Sequence, residues 1–574
     1  PNATISSSTV TISGFARDNI EVASVTVSLN GGAPFATTLS APGALGVPWT
    51  ITPNLAQGLH GGLNSAQVVS KDTAGNSSAS VTRSFTFVEK GSLTVITKVG
   101  GTITSVGGTV PGVSTAPNFY QVGKIYAFTA KPTAGYVFDH WAIPGIDSSS
   151  PATQVPALSL LYSDAIFASP TITAVFAATP YTAAKIGAFN GLVTAHQGSI
   201  PSNSTTGFVT VNVTSAGTFT GTLKTDGMTL SIGGLFDLTG TARFGATRSD
   251  KVLVARTNKP AVELMLHLDL AGTTVQVTGT VKQYLRTTLV STSDVLADRA
   301  AFDAKLNPFS TAHASYLVNK GLYTVVLPAK AQGNGLTSAD FPQGSGFGTI
   351  TLTAAGSASF SGTLADGTVV TASAPISKNL TIPLFAQLYA LKAGSFSGLV
   401  TLDDTQADSD LKAVNCAWFR PWSNNQYYPW GWDEGVSVNL FGAKYQSTSL
   451  ATNVLLGATN LPSPNTLLTF TEGSLASTVT KQVNVSATNA VTKFDTTDKS
   501  FGLTLVASTA KITGTFPHTS GTTSAFQGIV YQKGNNTTDV QLGGNGYFLT
   551  LAPKVINGEG TSGKVTVKPN VVVP

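Results

Sequence analysis

Hydrophobic and polar residues alternate with a period of two along nearly the whole chain. Clear examples are Ser24-Val25-Thr26-Val27-Ser28-Leu29, Phe208-Val209-Thr210-Val211-Asn212-Val213 and Phe501-Gly502-Leu503-Thr504-Leu505-Val506. That period places alternate side chains on opposite faces of a half-buried strand. Gly, Asn, Asp and Pro interrupt the runs at short intervals, as turns between the strands of sandwiches and barrels do. Amphipathic helical periodicity is nearly absent. The stretch Ser293–Leu306, with Val295, Leu296, Ala301, Phe302 and Leu306, is predicted as a short connecting helix. The pattern therefore predicts an all-β protein built of β-sandwiches or β-barrels. With the resemblances given below, the expected order is a tandem β-sandwich and a small β-repeat domain, followed by a large repeated β-sandwich or β-barrel region.

A chain of 574 residues exceeds one hydrophobic core. Four segments are expected: 1–89, 90–179, 180–318 and 319–574. Hydrophobic residues make up 42%, enough to fill several cores, whereas charged residues are only 11%, against roughly a quarter in ordinary soluble proteins. Thr, Ser, Ala, Gly and Val take their place, and hydroxyl and β-branched side chains suit exposed sheet faces. The formal charge is +5, but Lys and Arg are scattered singly. No basic cluster with interleaved aromatics marks a nucleic-acid footprint. No apolar run reaches the roughly 18–20 residues of a membrane-spanning helix. Cys416 is the single cysteine, so an intrachain disulfide is excluded. The composition favours a secreted, extracellular or cell-surface location.

Residues 1–89 carry Thr11-Ile12-Ser13-Gly14, Val25–Gly32, Trp49 before a strand, Lys71-Asp72-Thr73-Ala74-Gly75-Asn76 and Val81-Thr82-Arg83-Ser84-Phe85. This order resembles a bacterial immunoglobulin-like domain, which implies a β-sandwich acting as a spacer or adhesive module. Residues 90–179 carry Tyr120-x-x-Gly123, Phe128-Thr129-Ala130-Lys131-Pro132, Gly135-Tyr136-x-Phe138, Trp141 and Ile172-Thr173-Ala174-Val175-Phe176. That order resembles the B-repeat of internalin-like bacterial surface proteins, interrupted by a partly apolar insertion from Pro144 to Pro170.

The remainder repeats itself. Gly207–Thr214 matches Gly346–Thr353, and Gly221-Thr222-Leu223 with Asp226-Gly227 matches Gly362-Thr363-Leu364 with Asp366-Gly367. Gly187–Val193 is similar to Gly394–Val400, and Gly321–Thr324 to Gly546–Leu549. Repeated hairpins extend a β core. Much of 320–570, including Gly321–Pro328, Pro383-Leu384-Phe385, Trp418, Tyr428-Pro429 and Phe526–Val530, resembles a β-rich module of large secreted Verrucomicrobia and Planctomycetes proteins. The resemblance implies an architecture and brings no catalytic residues.

The residues offer little for catalysis. His60, His140, His196, His267, His313 and His518 are never spaced as metal ligands, and neither HExxH nor a Cys/His cluster occurs. Ser345, in Gly344-Ser345-Gly346, lacks the strand-to-helix context of a nucleophile elbow and is expected in a turn. Asp403, Asp404, Asp408 and Asp410 are loosely spaced like a Ca2+ loop. They lack the central Gly and terminal Glu of an EF-hand, so a solvated loop is the preferred reading. Asp433-Glu434 forms a second acidic pair.

The most unusual local feature is aromatic. Trp418, Phe419, Trp422, Tyr427, Tyr428, Trp430 and Trp432 lie together and include four of the six tryptophans. Such rings stack on sugars, and Arg420, Asn424, Asn425 and Gln426 would bond hydroxyls. Trp418, Trp422, Tyr427, Tyr428, Trp430 and Trp432 are thus candidate glycan or subunit contacts. Plugging a barrel end or covering a long loop is the preferred role.

The expected function is non-enzymatic: a subunit of a bacterial surface filament, sheath or matrix that self-associates into a homopolymer through β-strand contacts. Low charge suits close packing of like subunits. The segments Asn2–Ser13 and Lys564–Pro574 are candidate exchange strands. Alternatives are a cell-surface adhesin binding polysaccharide on an immunoglobulin-like stalk, and a non-catalytic part of a larger surface enzyme.

Overall fold

The computed structural model describes residues 3–5, 9–88, 90–106, 119–150, 152–163, 166, 168–332, 335–337, 340–447, 461–533, 540–551 and 559–570. The chain is all-β, as the alternation predicts. It divides into two compact units, Pro1–Thr179 and Pro180–Pro574. No helix among the described residues is long and apolar enough to cross a membrane.

In the first unit, residues 3–87 form two sheets around one core. Strands Val22–Leu29, Gly62–Asp72 and Val81–Phe87 belong to a five-stranded sheet, and Ile12–Arg17, Gly46–Ile51 and Thr38–Leu39 form the opposing one. Their inward residues, including Val25, Val27, Val47, Trp49 and Phe85, pack into a single cluster. Ile12–Arg17 is an edge strand, paired among the described residues with Gly46–Ile51 alone. The rest of the unit is built around the fully buried Trp141. The described part of the insertion 144–170 walls this core. Its strand Ala157–Leu161 pairs with Ile125–Pro132, burying Leu158 and Leu160. Trp141 donates to Val155 O at 3.1 Å and Tyr162 to Ser92 O at 2.8 Å.

The second unit contains three nearly closed barrel-like sheets with one shared topology. Each is an antiparallel meander whose first strand pairs with its last. Gly187–Ala195 pairs with Thr288–Arg299, Leu322–Leu327 with Trp432–Lys444, and Thr466–Glu472 with Thr561–Pro569. The seam that interrupts each barrel falls in mid-sequence: between Ala242–Phe244 and Val252–Arg256, Val369–Pro375 and Thr381–Leu388, and Val491–Lys493 and Gly502–Val506. Residues 319–574, expected as one repeat copy, thus hold two of the three sheets. The interiors are filled by side chains: Phe360, Phe396 and Trp418 in the second barrel, Phe470, Phe516 and Phe548 in the third.

The repeat is structural where it is strongest. Gly207–Val213 and Gly346–Leu352 are the second strands of successive barrels, and both Asp-Gly pairs turn the chain out of the third strand. Gly221 and Gly362 recur because a Cβ there would meet Thr210 O at 1.9 Å and Phe347 O at 2.5 Å. The similarity of Gly187–Val193 to Gly394–Val400 does not mark equivalence, since the first strand of one barrel then matches the sixth of the next.

Two expectations are corrected. Thr288–Arg299 is a strand, not part of a helix, with Ser293, Val295 and Ala297 buried between two neighbours. Leu296, which suggested helical periodicity, faces outward at 48% exposure. The C-terminal segment is not a free end either. Thr561–Pro569 lies inside the third sheet, between Thr466–Glu472 and Gly543–Thr550, with Val565 and Val567 buried; residues 571–574 lie outside the described residues. At the other end, Ala3–Ile5 pairs in parallel with Phe85–Phe87 in its own domain, and Asn2 and residues 6–8 are outside the described residues.

Candidate functional site

The aromatic cluster sits on a hairpin of the second barrel. Strands Leu411–Arg420 and Trp432–Lys444 are joined by loop 421–431, which folds on itself through Ser423 N–H to Pro429 O at 2.9 Å. Alternation decides which rings enter. Trp418 and Trp432 point into the barrel, are 2% and 4% exposed, and meet edge to face at 4.7 Å. Tyr428 turns back with a positive φ and packs on Trp432 at 5.7 Å.

These rings enclose an ion pair. The Arg420 guanidinium bonds the Asp366 carboxylate, donates to Tyr428 O at 3.2 Å and Tyr427 O at 2.7 Å, and lies over the rings of Tyr389 and Trp432. Tyr389 donates to Asp366 at 2.9 Å and accepts from Trp418 Nε1 at 2.8 Å. Burial pushes the Tyr389 and Tyr428 hydroxyls well above their ordinary pKa, so both remain protonated. The repeated turn places Asp226 likewise in the first barrel, where it bonds Arg256 at 2.7 Å. The plug also ties the hairpin to the third barrel: Ser562 N–H donates to Tyr428 Oη at 2.7 Å and Gly560 N–H to Gln426 O at 2.8 Å. Tyr427 fills the space that Gly560 leaves by lacking a Cβ.

Of the six candidate rings, Trp418, Tyr428 and Trp432 are therefore core residues and Tyr427 is half-buried. Trp422 and Trp430 alone of the six face solvent, at 58% and 71% exposure, on either side of the 423–429 bond in the sequence. Trp430 Nε1 donates to Glu559 at 2.6 Å.

The four aspartates do not converge. Asp404 bonds Lys444 at 2.8 Å, Asp408 bonds Lys412 at 3.0 Å, and Asp410 bonds Lys533 of the third barrel at 2.9 Å. Asp403 bonds Thr405 and Gln406 within its turn. Three ammonium groups thus satisfy the carboxylates a Ca2+ would need, and no metal-ligand cluster occurs among the described residues. Ser345 is buried, its N–H bonded to Gly546 O at 3.1 Å. His196 pairs with the exposed Asp294 at 2.9 Å. Cys416 is fully buried, and burial pushes its thiol up to about 12.

One concave feature escaped the sequence. A cleft of about 540 Å³ lies over the outer face of the same hairpin, bounded by Pro201, by Lys330–Gln332 and by Asn415, Ala417, Phe419 and Glu434–Ser437. It opens because strand Leu322–Leu327 pairs with Phe441–Lys444 and then departs from the sheet. Beyond that point the Gln332 side chain replaces the missing strand, accepting from Ser437 N–H at 2.7 Å and donating to Ser437 O at 2.9 Å. A bulge between Ala413 and Cys416 and a positive φ at Asn415 direct its amide outward, where Oδ1 accepts from Lys330 Nζ and from Ser437 Oγ. Two lining residues carried a sequence signal: Glu434 in the Asp433-Glu434 pair and Phe419 in the aromatic cluster. Lys330 and Gln332 lie some hundred residues from Ser437 (|i−j| is 105 for Gln332), so no local motif announces the cleft.

No family model matches the chain, and no curated protein matches it. Among solved structures it is similar to a protein of unknown function from the DUF3598 family of Nostoc punctiforme, at 12% identity over 45% of this chain and 95% of that one, with a TM-score of 0.14.

Proposed function

We propose that the chain is a non-enzymatic extracellular structural protein, a subunit that self-associates into a bacterial surface filament, sheath or matrix. The observation that carries this reading is the edge strand Ile12–Arg17. Ser40 N–H donates to Pro48 O at 3.0 Å, so Pro48 turns its carbonyl away from Phe15, its partner in the ladder. In an antiparallel ladder the N–H and C=O of Phe15 then point out of the sheet. The Phe15 side chain is 55% exposed beside them. An exposed strand with outward backbone groups is a template for a neighbour's strand, and where a different segment of the next copy supplies that strand the contact is heterologous and repeats without closing. The low charge reduces repulsion between like subunits.

The test is negative-stain microscopy of purified protein. Fibres with a regular axial repeat are expected; dispersed single particles at all concentrations contradict the proposal. A second reading, an adhesin that binds polysaccharide, is favoured by the exposed Trp422 and Trp430. Participation in a larger surface enzyme as a non-catalytic segment is compatible with the same features.

A further inference from the structure

We infer that the cleft between Lys330–Gln332 and the 411–444 hairpin is a binding site for a neutral saccharide, separate from Trp422 and Trp430. Its volume of about 540 Å³ falls in the range of roughly 300–1,000 Å³ that small-ligand sites occupy. Its walls carry one ammonium, Lys330, and one carboxylate, Glu434, so the site is electrically balanced. A phosphate or polyanion would gain a single cation and face a carboxylate. A peptide adding as a strand would need the outer backbone groups of Ser437, and Gln332 already takes both.

Sugar hydroxyls ask for something different: donors and acceptors interleaved over an apolar floor. Lys330 Nζ and the Asn415 amide supply donors, the Ser437 hydroxyl oxygen and the Glu434 carboxylate supply acceptors, and Ala417 and Phe419 lie on the floor. The donors are held before any ligand arrives. Lys330 and Ser437 both bond Asn415 Oδ1, which fixes the orientation of the Asn415 amide. Asn415 sits at φ 56°, in the left-handed region that asparagine adopts more readily than most non-glycine residues.

Affinity electrophoresis of the whole chain in gels containing mixed-linkage β-glucan, xylan, galactomannan or dextran tests the site. Migration should be slowed by at least one of them. Asn415→Gly keeps the backbone conformation while removing the amide, and Glu434→Ala alters an exposed side chain; each should weaken retardation at least tenfold. The double variant Trp422→Ala, Trp430→Ala should migrate as the parent does. Absence of retardation in all four gels overturns the inference. So does retardation that survives both cleft variants, or that the tryptophan variant abolishes.

Discussion

Arg420 and Asp366 face each other inside the second barrel with side-chain exposures of 3% and 0%, in a shell made by Tyr389, Trp418, Tyr428 and Trp432. Removing one member leaves the other charge buried without a counter-charge, which costs about 3–5 kcal/mol, whereas replacing both with apolar groups is far less costly. Arg420→Met and Asp366→Leu alone should each lower the urea midpoint strongly. The double variant should recover much of the loss, and a double variant no better than either single one would contradict this pairing.

The aromatic cluster should divide in the same measurement. Trp418→Ala and Trp432→Ala empty packed volume and should each cost about 3–5 kcal/mol. Trp422→Ala and Trp430→Ala, at exposed positions, should stay within roughly 0.5 kcal/mol of the parent.

Cys416 reports on opening of the second barrel. Its thiol is buried and pushed up to about 12, so a thiol reagent at pH 8 should label the unfolded chain stoichiometrically and the native chain not at all. Gly398 packs against it, and a Cβ there would lie 2.5 Å from Sγ. Gly398→Ala should therefore destabilise by about 1–3 kcal/mol and accelerate labelling.

Acid should weaken the unit through its lysine-paired aspartates. The Lys444 ammonium holds the Asp404 carboxyl below the usual carboxylate range, against the opposing effect of burial, and Lys481 does the same for Asp498. A depressed folded-state pKa stabilises the folded chain fully above the unfolded value, about 4. That contribution is lost as pH falls through the lower folded value. The melting temperature should drop below about pH 4, and Asp404→Asn or Asp498→Asn should flatten the drop. Since lysines satisfy these carboxylates, added calcium or EDTA should leave the midpoint unchanged.

Strand content was legible because alternation is a local property, and the strongest repeat was legible because Gly221 and Gly362 answer the same close approach. Closure was not legible. Which strand meets which depends on pairings such as Leu322–Leu327 with Trp432–Lys444, a hundred residues apart, and nothing local separates the buried Trp418 from the exposed Trp422. Lys564–Pro574 looked free because it ends the sequence, yet first-to-last pairing places Thr561–Pro569 mid-sheet. The helix predicted at Ser293–Leu306 failed for a related reason: pairing on both sides overrode a short ambiguous pattern. The cleft arises from a strand departing its sheet, an event without a sequence signature.

Strand-edge assembly is tested most directly by sedimentation velocity over a concentration series, comparing the parent with Phe15→Pro and Phe15→Lys. Proline removes the outward N–H without breaking a bond to Gly46–Ile51, and lysine places a charge on the edge. Assembly through this strand predicts concentration-dependent polymers for the parent and monomers for both variants. A monomeric parent, or polymers that persist in both variants, would contradict it.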